Sequence, residues 1–369
     1  MRLTFILFMF AIVLGLHFYV FYRLWGMMPI STLMGRTLFV VSAVIAVSSF
    51  FLSVLIGNNL PSSVTSIMYR VGTSWFFIFI YLLILFLLFD LLRLAHLLPV
   101  HRFMYESWIG FGVLAGFLAV VLSLGYFNYI HKEKVELSLV IDKDVAMSSL
   151  KIAAISDLHL GYGIHRKEFE QWVQLINKEN PDIVLIAGDV IDNHLRPLYE
   201  QNMAQAFKQL KTKYGVYAVL GNHEYISGAS KSIDFLKEAG IIVLRDSVAF
   251  IDDSFYIIGR DDRTNKARKS IEELTDTLDK SKLFVMLDHQ PYHLEEVEKN
   301  NIDLQLSGHT HHGQILPLSW ITDRMYEKSH GYLKKGNSHI YVSSGIGIWG
   351  GKFRIGTQSE YVVINLNMK

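Results

Sequence analysis

Residues 150–161 read LKIAAISDLHLG: an apolar, β-rich run from Leu150 to Ile155 stops at Ser156 and sets Asp157 and His159 directly beyond it. The same arrangement recurs four times downstream. Ile183 to Ile186 leads to Gly188-Asp189, and Val216 to Leu220 leads to Gly221-Asn222-His223. Leu283 to Leu287 leads to Asp288-His289, and Leu304 to Leu306 leads to Gly308-His309-Thr310-His311. Further strand-like runs lie at Phe255 to Ile258 and Ile340 to Val342. Helical spacing of apolar residues marks Glu168 to Asn177 and Gln201 to Leu210, and Ser230 opens another helix toward Ala239, with Pro181 and Gly240 as stops. Strands that alternate with helices predict an α/β layered fold. Polar blocks at the carboxyl ends of such strands converge on one crevice, so residues far apart in sequence meet in space.

Carboxylate oxygen, imidazole nitrogen and amide oxygen form a donor set that suits Mn, Fe, Zn or a similar divalent ion. Each block alone has an ordinary explanation, because Asp or Asn after a strand is commonly a turn residue or a helix cap. Five blocks in one order, with glycines that admit close backbone approach, exceed that explanation. The chain has no Cys, so it carries neither a disulfide framework nor a thiolate metal site. Its formal net charge of +1 provides no basic footprint for nucleic acid as a main partner.

Upstream of these blocks the composition changes abruptly. Residues 1–131 contain only Arg2, Arg23, Arg36, Arg70, Asp90, Arg93, Arg102 and Glu106 as formal charges. Four apolar runs, Phe5 to Tyr22, Leu38 to Ile56, Trp75 to Leu92 and Ile109 to Tyr129, each approach the ~20 residues a spanning helix needs. They predict a membrane domain over residues 1–131 and a water-facing domain over 132–369. Tyr19, Tyr22, Trp25, Trp75, Trp108 and Tyr129 stand at run ends, as interfacial aromatics do. Asp90 is expected to pair with Arg93 near the interface. Arg23, Arg36, Arg93 and Arg102 flank the first and third connections, which places those connections inside and the second domain on the extracellular side of the cell membrane; Lys132 and Lys134 argue the other way. Alternating Val135, Leu137, Leu139 and Ile141 begin a strand immediately, so the expected linker is minimal and the second domain lies close to the bilayer.

With "SDLHLG", "AGDVID", "GNHE" and "SGHTH" in this order, the chain over roughly 135–369 resembles a calcineurin-like metallophosphoesterase of the membrane-anchored bacterial branch. The resemblance implies a four-layer αββα sandwich, here preceded by four transmembrane helices, with two divalent ions at one edge. By the motifs, Asp157, His159 and His311 are expected to ligate the first metal, Asn222, His289 and His309 the second, and Asp189 to bridge them. His223 would protonate the leaving oxygen, with Glu224 orienting it, while metal hydroxide attacks phosphorus. Asp192 could support the site or cap a helix. Arg260 and Arg354 are the expected phosphate contacts, because a guanidinium fork matches phosphate oxygens. His312 stands where relatives often have Gly, and would either add a donor at the rim of the site or shift the loop; Asp288 stands where a small hydroxyl residue is common, from which it would orient His289.

Three functions remain open at this level. The first is a membrane-anchored phosphoesterase for a lipid-linked phosphodiester or pyrophosphate, such as the UDP-diacylglucosamine that some relatives cleave. The second is a phosphatase for soluble monoesters or nucleotides, and the third a ligand sensor without catalysis. An exposed aromatic and apolar patch among Trp320, Tyr326, Tyr332, Trp349 and Phe353 beside the metals would favour the first.

Overall fold

The computed structural model describes residues 2–96, 101–143, 145 and 147–369. These fall into two compact units, residues 1–124 and 125–369.

The first unit is helical: α1 (Arg2–Met27), α2 (Leu33–Leu55), α3 (Ser62–Leu94), a short α4 (His101–Met104) and most of α5 (Trp108–Ile130). Leu7–Met27, α2, α3 and α5 are long and apolar enough to cross a membrane. The Thr32 side chain caps α2 by accepting from the Gly35 N–H. Asp90 pairs first with Arg23, not Arg93: its Oδ1 lies 2.6 Å from Arg23 Nη2 and 3.7 Å from Arg93 Nη2. The Tyr19 hydroxyl donates to the other carboxylate oxygen at 2.6 Å. An ion pair between two helices depends on their packing, which i,i+3 spacing does not encode.

The second unit begins inside α5. Strands β1 (Lys132–Ile141), β2 (Ser149–Ile155), β3 (Ile183–Ile186), β4 (Val216–Ala218) and β5 (Ile242–Val243) belong to one sheet. A second sheet contains β6 (Ser247–Ile251), β7 (Phe255–Gly259), β8 (Leu283–Leu287), β9 (Leu304–Ser307), β10 (Gly331–Lys335) and β11 (Ser338–Val342). The last strand, β12 (Ser359–Met368), returns to the first sheet between β1 and β2. Strands β2 to β5 run parallel, as do β7, β8, β9 and β11. Helices α6 (Arg166–Lys178), α7 (Arg196–Glu200), α8 (Met203–Phe207), α9 (Asn222–Ile226), α10 (Ala229–Glu238), α11 (Ile271–Thr275), α12 (Glu295–Lys299) and α13 (Leu318–Met325) complete the unit.

Strand alternation builds the layers. Leu150, Ile152 and Ala154 of β2 meet Leu283, Val285 and Leu287 of β8 between the two sheets. Ala153 and Ile155 turn outward onto Phe169, Trp172, Val173 and Ile176 of α6, an apolar stripe at helical spacing. Phe284 and Met286 turn to the opposite outer face, against Ile271 and Leu274 of α11 and Val297 of α12. The result is the expected αββα order. Phe169, Phe207 and Phe235, all fully buried, each contribute about 1.5–3 kcal/mol. The helix expected over 201–210 is shorter, because Asn202 adopts a left-handed φ of 50° and separates α7 from α8. Strands β5, β6, β10 and β12 add to those expected.

Candidate metal centre

The five polar blocks lie beyond the carboxyl ends of β2, β3, β4, β8 and β9. Backbone bonds join the first two loops: Asp157 N–H donates to the Gly188 carbonyl at 3.1 Å and His159 N–H to the Asp189 carbonyl at 3.0 Å. Asp157, His159, Asp189, His309 and His311 all have positive φ, between 45° and 72°. Such conformations cost about 1–3 kcal/mol each and persist only where the surroundings dictate them. Two glycines permit the packing. A Cβ on Gly221 would stand 2.1 Å from Asp189 Oδ1, and one on Gly308 would stand 2.3 Å from Asp157 Oδ2.

Two groups of ligand atoms, each within 4.8 Å, hold expected ligands, Asp157, His159 and His311, and Asp189, His289 and His309, while a further such group, His159, Asp192 and His223, adjoins the first through His159. Asn222 Oδ1 joins the second group, 2.9 Å from His309 Nδ1 and 3.3 Å from His289 Nε2. Asp189 Oδ2 lies between the groups, 3.7 Å from His159 Nε2 and 3.2 Å from His289 Nε2. Every residue expected as a ligand is therefore brought to one cluster.

The donor chemistry fits divalent cations. His289 Nδ1 lies 2.7 Å from the Ala187 carbonyl, which can only accept, so Nδ1 carries a proton and Nε2 is the nitrogen that faces Asp189 Oδ2. Burial acts to lower the His289 pKa, yet the Asp189 carboxylate beside it lifts it well above the ordinary value. A bound cation would take the place of that extra proton. Burial, reinforced by neighbouring imidazoles, holds His309 at about 4 and His311 well below its ordinary value, so both are the neutral form that ligates. His311 Nδ1 is buried without a hydrogen-bond partner, and its Nε2 stands 3.1 Å from His159 Nε2.

His223 lies beside this cluster. Its backbone N–H donates to Asp189 Oδ1 at 2.9 Å, and its Nδ1 lies 2.6 Å from the Asp192 carbonyl. Asp192 does not cap a helix, since α7 starts at Arg196. Its buried carboxylate lies 3.5 Å from His159 Nδ1 and 3.7 Å from His223 Nδ1, so it backs both rings. Glu224 serves a different purpose from the one expected. Its carboxylate accepts the backbone N–H groups of Asp189, Ile191 and Gly221 at 3.0, 2.9 and 2.7 Å, which ties the β3 loop to the β4 loop. Burial, with the Asp189 charge nearby, pushes this carboxyl up to about 7 against the pull of the backbone donors.

Four further residues are engaged as follows. Arg354 is fully buried and its guanidinium donates to the carbonyls of His311, Ser344, Gly345 and Gly347, so it braces the loop that carries His311 instead of meeting phosphate. Arg354→Met is accordingly expected to destabilise the fold by about 3 kcal/mol or more, since it strands several buried acceptors. Thermal unfolding checks this; loss of activity at unchanged stability would restore the phosphate role. Arg260 is engaged with Asp288, at 3.2 Å, and with the Lys269 carbonyl. Asp288 also takes Arg268 at 3.1 Å, and so orients two arginines instead of His289. His312 does not enter the cluster. Its ring stacks on His330 at 4.7 Å, and its Nε2 lies 3.6 Å from Asp323. Arg268 carried no signal in the sequence, because its role depends on the Asp288 pairing.

A model of the calcineurin-like phosphoesterase family matches residues 150–313. An uncharacterized metallophosphoesterase of Aquifex aeolicus is 32% identical over 266 residues, covering 69% of this chain and 99% of that protein. The chain belongs to the calcineurin-like phosphoesterase family. This calcineurin-like phosphoesterase is also 33% identical over 229 residues to an uncharacterized metallophosphoesterase of Campylobacter jejuni, where the match spans 60% of each chain. A transmembrane protein with metallophosphoesterase domain from Danio rerio is 29% identical over 314 residues, 78% of this chain and 71% of that one. The family is metal-dependent, in keeping with the clustered carboxylates and imidazoles.

Proposed function

We propose that the chain is a membrane-anchored, two-metal hydrolase of a lipid-linked phosphodiester or pyrophosphate, with a UDP-diacylglucosamine-type glycolipid precursor as the most specific version. Asp157, His159 and His311 would hold one ion and Asn222, His289 and His309 the other, with Asp189 shared. When bound, such cations supply Lewis acidity at phosphorus and acidify water. The chain's own residues position and protonate. Asp189, buried between the two groups, provides the anion that offsets repulsion between cations. His223, with Nδ1 held by the Asp192 carbonyl, directs Nε2 as the atom that hands a proton to the leaving oxygen.

His223→Ala is expected to lower kcat by about 10²–10⁴ while metal content stays unchanged. Burial acts to lower the His223 pKa, but Asp189 and Asp192 outweigh it and raise it. An acid must be protonated to act, so the rate falls as pH rises through this raised pKa. That alkaline limb is expected to vanish in the variant, which a pH–rate profile measures.

The observation that carries the lipid reading is α13. It follows the loop of His309 and His311, and it exposes Trp320 (66%), Ile321 (53%) and Met325 (63%). The Tyr326 ring at its end lies 6.4 Å from the His309 ring. Exposed apolar side chains beside a polar cluster suit a substrate with an acyl portion. The four apolar helices favour the same class; the arginine asymmetry of their connections favours an exterior catalytic unit, which a nucleotide-linked precursor, a cytoplasmic substrate, opposes. The test is a Trp320→Ser/Ile321→Ser variant assayed on a lipid-linked pyrophosphate, para-nitrophenyl phosphate and free nucleotides. A loss of at least about tenfold confined to the lipid substrate is expected. Equal rates of wild type and variant on the lipid substrate, or a preference for nucleotides, would favour the soluble phosphatase.

A further inference from the structure

A pocket of about 350 Å³ lies wholly within the second unit, where the end of α5 passes into β1 and the first turn of α6 begins. Tyr126, Tyr129, Lys132, Lys167, Glu168 and Lys352 contribute to its wall, and none of its lining residues belongs to the metal cluster.

The charges in this pocket do not balance. Glu168 is its carboxylate, and that group is already engaged by Lys352 Nζ and by the Tyr129 hydroxyl. Lys132 has no such partner. Its ammonium donates to the Tyr129 carbonyl at 2.6 Å and lies over two rings, 3.7 Å from the centroid of Tyr129 and 4.8 Å from that of Trp172. Among the described residues no carboxylate comes within ion-pair distance of it. Ring faces stabilise a cation, but less than an anion does where water is displaced. Burial accordingly pushes the Lys132 ammonium well below its ordinary range. Lys167, in the first turn of α6, is exposed at the same pocket. With Lys352 spent on Glu168, Lys132 and Lys167 leave a positive site that an anion would complete.

The position of the pocket indicates which anion. Lys132 is two residues beyond Ile130, the last residue of a helix apolar enough to cross a membrane, and Tyr126 and Ile130 are themselves about half exposed. Lysine and aromatic side chains directly after a spanning helix lie at headgroup depth. We infer that this pocket binds a phosphate-bearing group, and that its source is the headgroup of an anionic phospholipid.

The test uses the full-length chain in neutral detergent, with lipid retention read by native mass spectrometry for phosphatidylglycerol and phosphatidylcholine. Wild type is expected to retain phosphatidylglycerol selectively. Lys132→Gln is expected to weaken retention about tenfold and Lys167→Gln about fivefold, while Lys132→Arg retains it. Hydrolysis of para-nitrophenyl phosphate by the Lys132→Gln variant serves as the control for folding. Lys167→Gln, at an exposed position, keeps the test decisive if Lys132→Gln does not fold. Displacement of the lipid by millimolar inorganic phosphate would overturn the headgroup assignment in favour of free phosphate. Equal retention by wild type and both glutamine variants would overturn the site altogether.

Discussion

Asp189→Asn is expected to lower phosphoester hydrolysis by at least about 10³-fold and to leave the purified chain deficient in metal. The carboxylate is almost wholly buried, stands within 4 Å of imidazole nitrogens from both ligand groups, and accepts the His223 backbone N–H. The amide retains the shape and an acceptor oxygen but not the charge. The two cations proposed for this site would then lack the anion that offsets their repulsion. The fold is expected to survive, because the β3 loop remains tied by Glu224. Hydrolysis rate and metal content measured on the same sample separate loss of chemistry from loss of structure; an unchanged rate with Asn at this position would sink the shared-carboxylate assignment.

Glu224→Ala is expected to act through the scaffold. It removes the acceptor of three buried N–H groups, from Asp189, Ile191 and Gly221. At about 1–3 kcal/mol for each donor left unsatisfied, with some relief from entering water, the cost is on the order of 3–5 kcal/mol. For a unit of this size that lowers the unfolding midpoint by about 10 °C. Metal affinity falls with it, since Asp189 and Asn222 lie on the two loops that Glu224 joins. Glu224→Gln, which keeps one acceptor oxygen, is expected to recover part of both. If Glu224 instead oriented His223, the alanine variant would lose kcat without losing stability, and differential scanning fluorimetry distinguishes the two.

The parts of the fold that could be read from sequence are those in which local pattern and burial coincide. Strands β3 and β8 are buried on both faces and appear as unbroken apolar runs, β2 is interrupted only by Lys151, and the polar block just beyond each run is what the sheet delivers to the cluster. Tyr361 to Ile364 of β12 is equally apolar, but no motif follows it. Its insertion between β1 and β2 is a long-range pairing with no local trace. Helix α6 was recognisable from its stripe, whereas the split between α7 and α8 turns on the backbone of one residue, Asn202. The proposed ligand residues are evident from chemistry and order, and their supports are not. Arg354 resembles a phosphate fork in sequence, and only tertiary packing shows its donors spent on carbonyls. Asp288 likewise lies next to His289 in sequence while its charge is directed to Arg260 and Arg268.

A metal titration of chelator-stripped protein tests the central claim most directly. Full-length chain is supplied with increasing equivalents of Mn²⁺ while hydrolysis of a phosphodiester is followed. The proposed two-metal site, with Asp189 shared between the groups, predicts no activity in the stripped protein and a rise that breaks at two equivalents per chain. Full activity without metal, or a plateau at one equivalent, would contradict it.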